Sequence, residues 1–318
     1  MSGTRLLLTG ATGFVGPWVV RHWREAHPDA EVWTTSELPE PPSAEGTTYR
    51  QADIRSPDEV NALVRDSRPT GVIHLAGLIS GGDLESYLAV NVLGTANLYR
   101  ALLDHAPRAS VVQVGSAAAY GPVRPHDLPI TEDQPLRPVT EYALSKAAQE
   151  HLSVVVSLSR GLRIVRARVF NMLGPGQPRE LVPMTFVSQL LAVRDGLAGT
   201  VKAGELSSRR DFVDVRDVVD AIDILLRRGE SGTAYNVALG KDASVQEVID
   251  ALMDVAGVRA PVDIEAQRLR LVDVPVVRAD VSRMRREFGW QARIPLRRSL
   301  EAMWSEEAAK GRIHTGDQ

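Results

Sequence analysis

The first half of the chain repeats one pattern: a short apolar run, a turn, then apolar positions three and four residues apart. Arg5–Thr9 is such a run, of the kind a parallel strand buried on both faces requires. From Phe14 to Ala26 the alternation takes helical spacing. Glu31–Thr35 and Thr47–Asp53 read as a second and a third strand. Ser56-Pro57-Asp58-Glu59 opens a helix, with a capping serine, a proline in the first helical position and acids in the first turn. Gly71–Ala76 reads as a fourth strand and Leu84–Ala106 as a long helix. Ser110–Val114 is a fifth strand, Thr140–Arg160 a helix and Leu162–Val169 a sixth strand. Strands alternating with helices predict an α/β fold, a doubly wound parallel sheet of the Rossmann type.

Beyond Asn171 the pattern loosens. Gly174-Pro175-Gly176-Gln177-Pro178 predicts a rigid loop. Helical spacing returns at Leu181–Arg194, Val215–Arg228, Ser244–Val255 and Leu296–Ala309, with short strands between. The expected organisation is a first domain over residues 1–170 and a smaller α/β lobe over residues 171–318, with segments around 212–240 returning to the first. Residues 313–318 carry no packing signal, and there is no internal repeat.

Composition narrows the possible functions. The 318 residues are 44% hydrophobic and 24% charged, as in soluble globular proteins. A net charge of −3 leaves no basic footprint, so no nucleic-acid partner is expected. Without cysteine there is no disulfide, thiolate metal site or thiol nucleophile. The seven histidines form no metal-binding pattern, and no metal is expected. His74 should be packed and hydrogen-bonded, while His126 should border a pocket from its proline-rich loop. No apolar stretch reaches the length of a membrane span, and Met1–Gly10 lacks the layout of a secretory signal, so a cytoplasmic protein is expected.

The chemistry enters through spacing. Gly10, Gly13 and Gly16 follow the first strand as G-x-x-G-x-x-G and open a helix. Glycines there let the backbone turn tightly and approach a pyrophosphate, which then lies at the helix N-terminus. Thr12, Phe14 and Val15 belong to the same turn. Tyr142 and Lys146 are four residues apart in a helix and so share a face. A lysine ammonium beside a phenol favours the phenolate, which predicts a lowered tyrosine pKa and a proton carrier usable near neutral pH. Ser116 follows the fifth strand, at the carboxyl end where doubly wound sheets bind ligands.

Taken together, the glycine turn, Ser116 and Tyr142-x-x-x-Lys146 resemble the extended short-chain dehydrogenase/reductases, the NAD-dependent epimerase/dehydratase family, whose members reduce, epimerise or dehydrate nucleotide sugars. The resemblance implies Tyr142 as general acid/base, Lys146 as the residue that tunes it and holds the nicotinamide ribose, and Ser116 as the group that orients the sugar's C4 oxygen. It also implies that Asp53 and Ile54 hold the adenine and that Leu75, Ala76 and Gly77 line the middle of an NAD(P)(H) cofactor. In the second lobe, Asn171 and the segment around Arg210 are similar to substrate-binding parts of enzymes acting on GDP-mannose derivatives. The resemblance places Arg210 and Arg270 on a diphosphate and Asp273 on a ribose, and it is nearest to GDP-6-deoxy-4-keto-hexose reductases. Dehydratases of the family carry Asp-Glu after the strand-five hydroxyl, where this chain has Ala117-Ala118, so dehydration is not expected. Met172 and Leu271 stand where the nearest enzymes carry histidine and proline.

Three activities compete. One is a 4-keto reductase using NAD(P)H on a nucleotide-linked 4-keto-6-deoxy sugar, probed by its free cofactor exchange. The second is a C4 epimerase, which would retain tightly bound NAD. The third is a nucleotide sensor, which would not need the proton-transfer set. After the second strand, Thr34-Thr35-Ser36-Glu37 offers no carboxylate at the strand end itself and an acid where a 2′-phosphate would call for arginine; the reading leans to NAD. Members of the resembled family often pair through the helices at Leu84–Ala106 and Thr140–Arg160, which implies a homodimer.

Overall fold

The computed structural model describes residues 3–39, 46–265 and 274–313. Its elements follow the predicted alternation: β1 Arg5–Thr9, α1 Gly16–Ala26, β2 Glu31–Thr35, β3 Thr48–Tyr49, α2 Pro57–Ser67, β4 Gly71–His74 and α3 Leu84–Tyr87. A π-helical stretch, Leu88–Gly94, leads into α4 Thr95–His105, followed by β5 Ser110–Ser116, α5 Glu141–Arg160 and β6 Arg163–Val169. Then come β7 Asn171–Leu173, α6 Val182–Arg194, β8 Val201–Ala203, β9 Arg209–Asp214, α7 Val215–Arg228, β10 Ala234–Val237 and β11 Asp242–Ser244. The chain closes with α8 Val245–Ala256, β12 Val262–Ile264, β13 Val276–Val277, α9 Ser282–Phe288 and α10 Leu296–Ile313.

Seven strands form one parallel sheet in the order β10-β6-β5-β4-β1-β2-β3. The order reverses between β1 and β4, which opens a crevice at their carboxyl ends. One face of the sheet packs Leu6, Leu8, Ile73 and Val112 with Val19, Trp23, Val218 and Ile222 of α1 and α7. The other packs Leu7, Val72 and Val111 with Leu63, Leu98 and Leu102 of α2 and α4. The strands are thus buried on both faces, as their unbroken apolar runs require. The second lobe has its own core, in which Met184, Val187 and Leu190 of α6 meet Val248, Leu252, Leu300 and Met303 of α8 and α10. Although α7 and β10 lie past Asn171 in sequence, they pack on and extend the first sheet.

Local boundaries moved for identifiable reasons. The third strand stops at Tyr49 rather than running to Asp53, because its partner β2 ends at Thr35; Arg50 and Ala52 still bond to Thr34 and Ser36 before the chain turns. Helix α1 begins at Gly16, not Phe14, since Gly13 and Gly16 donate back to Gly10 and Gly13 in two consecutive turns. The predicted long helix is interrupted by the π turn around Asn91, whose side chain is fully buried. Both Asn91 and Gly94 are poor helix formers, and π turns concentrate at functional sites.

Candidate active site

The glycine turn is assembled by two kinds of necessity. Gly10 has φ +70°, and a Cβ on it would lie 2.6 Å from the Ala76 nitrogen. A Cβ on Gly16 would lie 2.0 Å from the Ala11 carbonyl oxygen. The fold itself demands both glycines. Gly13 differs: it is exposed, its φ is not positive, and a Cβ would meet only the Gly10 oxygen at 3.4 Å. Nothing in the protein requires glycine at that position, whereas a pyrophosphate seated on the turn would. Phe14 and Val15 pack into the core, Thr12 is half-buried, and no side chain caps the N-terminus of α1. These residues fit a dinucleotide.

The wall opposite is held by hydrogen bonds. Thr9 accepts from Leu75 N through its carbonyl, at 3.2 Å, and from Ala76 N through its hydroxyl, at 3.3 Å. The Thr9 hydroxyl also bonds His74 Nδ1, whose other nitrogen meets Thr95 at 2.8 Å. His74 is packed and bonded as expected, and burial pushes its pKa down to about 3. Asn91 completes the wall. Its side chain accepts from Leu78 N at 2.8 Å and donates to Leu78 O at 3.0 Å, while its Oδ1 lies where a Cβ on Gly77 would come within 3.1 Å. Asp53 and Ile54 close the far end. The Asp53 carboxylate takes the Arg55 guanidinium and backbone N–H, and Ile54 packs against Gly94.

Ser116 ends β5, and its oxygen accepts from Ala118 N at 3.2 Å, capping the short helix Ala117–Tyr120. Thr140 caps α5 in the same way, and the helix carries Tyr142 and Lys146 toward that serine. The Tyr142 phenol lies close to Ser116 and meets the Tyr87 ring edge-on, with centroids 5.9 Å apart. Lys146 donates to Val114 O at 2.9 Å and is buried; desolvation pushes its pKa down to about 8, partly countered by Glu150 one turn away.

The sequence-based expectation of a lowered Tyr142 pKa is corrected here. Burial raises it above its ordinary value, more than the nearby Ser116 hydroxyl lowers it, and the Lys146 ammonium is directed at the Val114 carbonyl. Tyr142 therefore remains protonated at neutral pH.

Spacing did not reveal the buried brace behind the site. Arg168 on β6 grips Glu150 of α5 and donates to Tyr120 Oη and Glu132 O, each at 2.8 Å; Tyr120 donates in turn to Asn236 at 2.7 Å. The turn after Ser116 is thereby tied to α5 and β10. Two arginines in the middle of a strand, at Arg166 and Arg168, were the available signal.

In the second lobe, Asn171 and Arg210 lie on neighbouring strands, β7 and β9. Asn171 donates to Asp211 O at 3.3 Å, and Arg210 donates to Val274 O at 2.7 Å. Met172 packs against the sheet core. Arg270, Leu271 and Asp273 lie outside the described residues. His126 is exposed, 3.8 Å from Asp127. Among the described residues no group of three or more His, Asp or Glu side chains could hold a metal. No helix of theirs is long and apolar enough to cross a membrane.

Comparison with known proteins agrees with this geometry. The sequence profile of the NAD dependent epimerase/dehydratase family matches residues 6–238. GDP-6-deoxy-D-mannose reductase of Pseudomonas aeruginosa is 33% identical over 307 residues, covering 95% of this chain and 96% of that protein. The structure of RMD from Pseudomonas aeruginosa complexed with NADPH superposes with a TM-score of 0.85 at 32% identity, covering 96% of this chain and 99% of that one. The UDP-glucose 4-epimerase of Thermus thermophilus, in complex with NAD, does so with a TM-score of 0.85 at 28% identity, covering 95% and 98%. With a glycine turn at the switch point, a serine–tyrosine–lysine set beside it and a profile match spanning most of its length, the chain belongs to the NAD dependent epimerase/dehydratase family.

Proposed function

We propose that this protein reduces the C4 keto group of a GDP-linked 4-keto-6-deoxy sugar with NAD(P)H. The observation that carries the reading is Ser116 at the end of β5 beside Tyr142 of α5, with Ala117 and Ala118 following it: a phenol kept protonated by burial next to a hydroxyl, and no carboxylate at those two positions to take a proton from elsewhere on the sugar. The cofactor, when bound, supplies hydride to C4. Tyr142 gives its proton to the C4 oxygen. Ser116 accepts from a backbone N–H, so its own hydrogen remains available to that oxygen. Lys146 holds the nicotinamide ribose, and its charge favours the phenolate left once Tyr142 has given up its proton. Gly10, Thr12, Gly13, Phe14, Val15 and Gly16 receive the pyrophosphate, Asp53 and Ile54 the adenine, and Leu75, Ala76 and Gly77 the middle of the cofactor. Asn171, Arg210, Arg270 and Asp273 receive the substrate's sugar and nucleotide.

The likeness to GDP-6-deoxy-D-mannose reductase supports the choice of base and sugar. The test is direct: purified protein, GDP-4-keto-6-deoxy-mannose and NADH or NADPH, with loss of reduced cofactor and formation of a GDP-6-deoxy sugar as readouts. No turnover with either cofactor ends the reading. The likeness to a UDP-glucose 4-epimerase keeps C4 epimerisation as the second reading; NAD retained through purification and an exchange of UDP-glucose with UDP-galactose would favour it.

A homodimer belongs to the same proposal. Leu144, Val155 and Leu158 are 45%, 58% and 80% exposed, and with Ala148 and His151 between them they lie three and four residues apart on one face of α5. Leu93, 60% exposed, lies in the π-helical stretch that packs against α5. Two such faces meeting about a twofold axis would cover them. A monomer mass by light scattering at micromolar concentration would count against it. A cytoplasmic location completes the proposal and accords with a cysteine-free chain.

A further inference from the structure

A cavity of about 490 Å³ opens where the segment after β10, the helix α9 and the segment after α9 meet β9. That volume is in the range of small-molecule sites. None of its lining residues is among those given above to the cofactor or the sugar. One wall follows β10, the edge of the large sheet, three strand spacings or roughly 14 Å from β4 and the switch point.

Both walls are pinned by buried carboxylates. Asp211 on β9 is fully buried and accepts from Leu239 N at 2.9 Å, Gly240 N at 3.0 Å and Ala279 N at 3.2 Å. Asp217, in the first turn of α7, accepts from Arg293 N at 3.0 Å and Ile294 N at 2.9 Å. Satisfied buried networks of this kind make the backbone around them rigid, so the walls are held apart rather than free to close.

The lining has two characters. Phe212, Leu239, Val281, Pro295 and Leu296 offer an apolar surface. Lys241, Arg285 and Arg293 also line the cavity, and all three reach solvent. Neighbouring arginines are matched by acids: Arg278 by Asp242, Arg283 by Asp133, and Arg297 and Arg298 by Glu301. Among the described residues no acid lies within ion-pair distance of Lys241, Arg285 or Arg293, and Arg285 donates to Gln291 Oε1 at 2.7 Å. Asp242, the acid in the lining, is taken by Arg209 and Arg278. In a chain of net charge −3, three unmatched cations around one apolar cleft do not reflect a general surplus of base.

We propose that this cavity is a second nucleotide site, separate from the active site, in which the phosphate of a nucleoside monophosphate meets Lys241, Arg285 and Arg293 while its base lies on the apolar surface. Guanidinium forks suit phosphate oxygens, and a lysine adds a point charge. An inorganic anion would use the cations and leave the apolar surface wet. An uncharged apolar ligand would do the reverse. A nucleotide uses both. No serine, histidine or tyrosine is among the described residues that line the cavity, so what it offers is binding rather than turnover.

Titration calorimetry with AMP, GMP, UMP and inorganic phosphate tests the proposal. The protein is saturated with NADPH to fill the crevice and carries Arg210→Ala to weaken the proposed substrate subsite. In that background at least one nucleotide should bind more tightly than phosphate. Adding Arg285→Ala and Arg293→Ala should weaken it about 10- to 100-fold, the effect of losing charged hydrogen bonds. Phosphate binding as tight as the best nucleotide overturns the proposal. So does nucleotide binding that the two added substitutions leave unchanged, or no nucleotide binding at millimolar concentration. Should that variant fail to fold, Lys241→Glu, which reverses one exposed charge, decides by the same comparison. A protein that turns over no sugar would end the reductase reading and leave this comparison intact.

Discussion

Asn91 Nδ2 donates to the Ser145 hydroxyl at 2.8 Å, joining the π-helical turn to α5 at the residue just before Lys146. The same amide holds both backbone groups of Leu78. One fully buried side chain thus ties the Leu75–Leu78 segment to the helix that carries Tyr142.

Replacing it should therefore do two things. Asn91→Ala leaves the Leu78 and Ser145 groups without their partner, at a cost of about 1–3 kcal/mol. The melting temperature should fall by about 2–6 °C, and affinity for dinucleotide should fall with it. Calorimetry and NAD(H) titration measure the two effects. A variant as stable as wild type would show that Asn91 is not the clamp.

Tyr142→Phe removes one hydroxyl and should leave folding and cofactor binding intact. Turnover should drop by about 10²–10⁴-fold, the range for a lost general acid. Steady-state rates with saturating cofactor provide the check, and wild-type turnover would remove Tyr142 from the mechanism.

The alkaline side of the pH profile should report Lys146. Its pKa is depressed from 10.5 to about 8, so the folded protein loses this charge above about pH 8 while the unfolded chain keeps it to 10.5. Across that interval the unfolded state binds the extra proton, and this group's contribution to stability rises with pH. Activity should move the opposite way, falling above about pH 8 as the ammonium is lost. Tyr142, raised above its ordinary value of 10.0, should not contribute to that limb. Turnover that is flat from about pH 7 to about pH 10 would contradict the assignment.

Two glycine substitutions should separate fold from ligand. Gly10→Ala forces a Cβ to 2.6 Å from Ala76 N at φ +70° and should lower stability sharply. Gly13→Ala meets only an ordinary contact at 3.4 Å and should melt close to wild type. It should still lose affinity for NAD(H) and NADP(H), on the order of 10-fold or more, because the methyl stands against the pyrophosphate. Unchanged binding by folded Gly13→Ala would make the turn purely structural.

GDP should raise the melting temperature more than UDP or dTDP does, since binding to the native state alone stabilises it. Arg210→Ala should weaken GDP binding about 10- to 100-fold, the equivalent of about 1.5–3 kcal/mol for a charged hydrogen bond, without a matching loss of NAD(H) affinity. A larger shift with dTDP or UDP would reassign the base.

Much of this protein is legible in local sequence. Strands buried on both faces show as unbroken apolar runs, helices as positions three and four apart, and the glycine turn as three residues with a fixed interval. Ser116, Tyr142 and Lys146 stand out in the sequence because a helix puts i and i+4 on one face and a doubly wound sheet puts its ligand at the strand ends. These are short-range properties, carried by neighbouring residues.

What the sequence alone could not decide depends on partners far along the chain and on what packing excludes from water. Asn91 reads as an ordinary helical residue until the π turn aims it at Leu78 and Ser145. Glu37 and Arg55 are eighteen positions apart, and only the turn at Asp53 brings their charges together. The same holds for Arg168, whose partners Glu150, Tyr120 and Glu132 come from three separate segments. The direction of the Tyr142 shift was misjudged for a related reason. Spacing places a lysine nearby, but desolvation is set by everything packed around the phenol, and here it outweighs the one contact that favours ionisation.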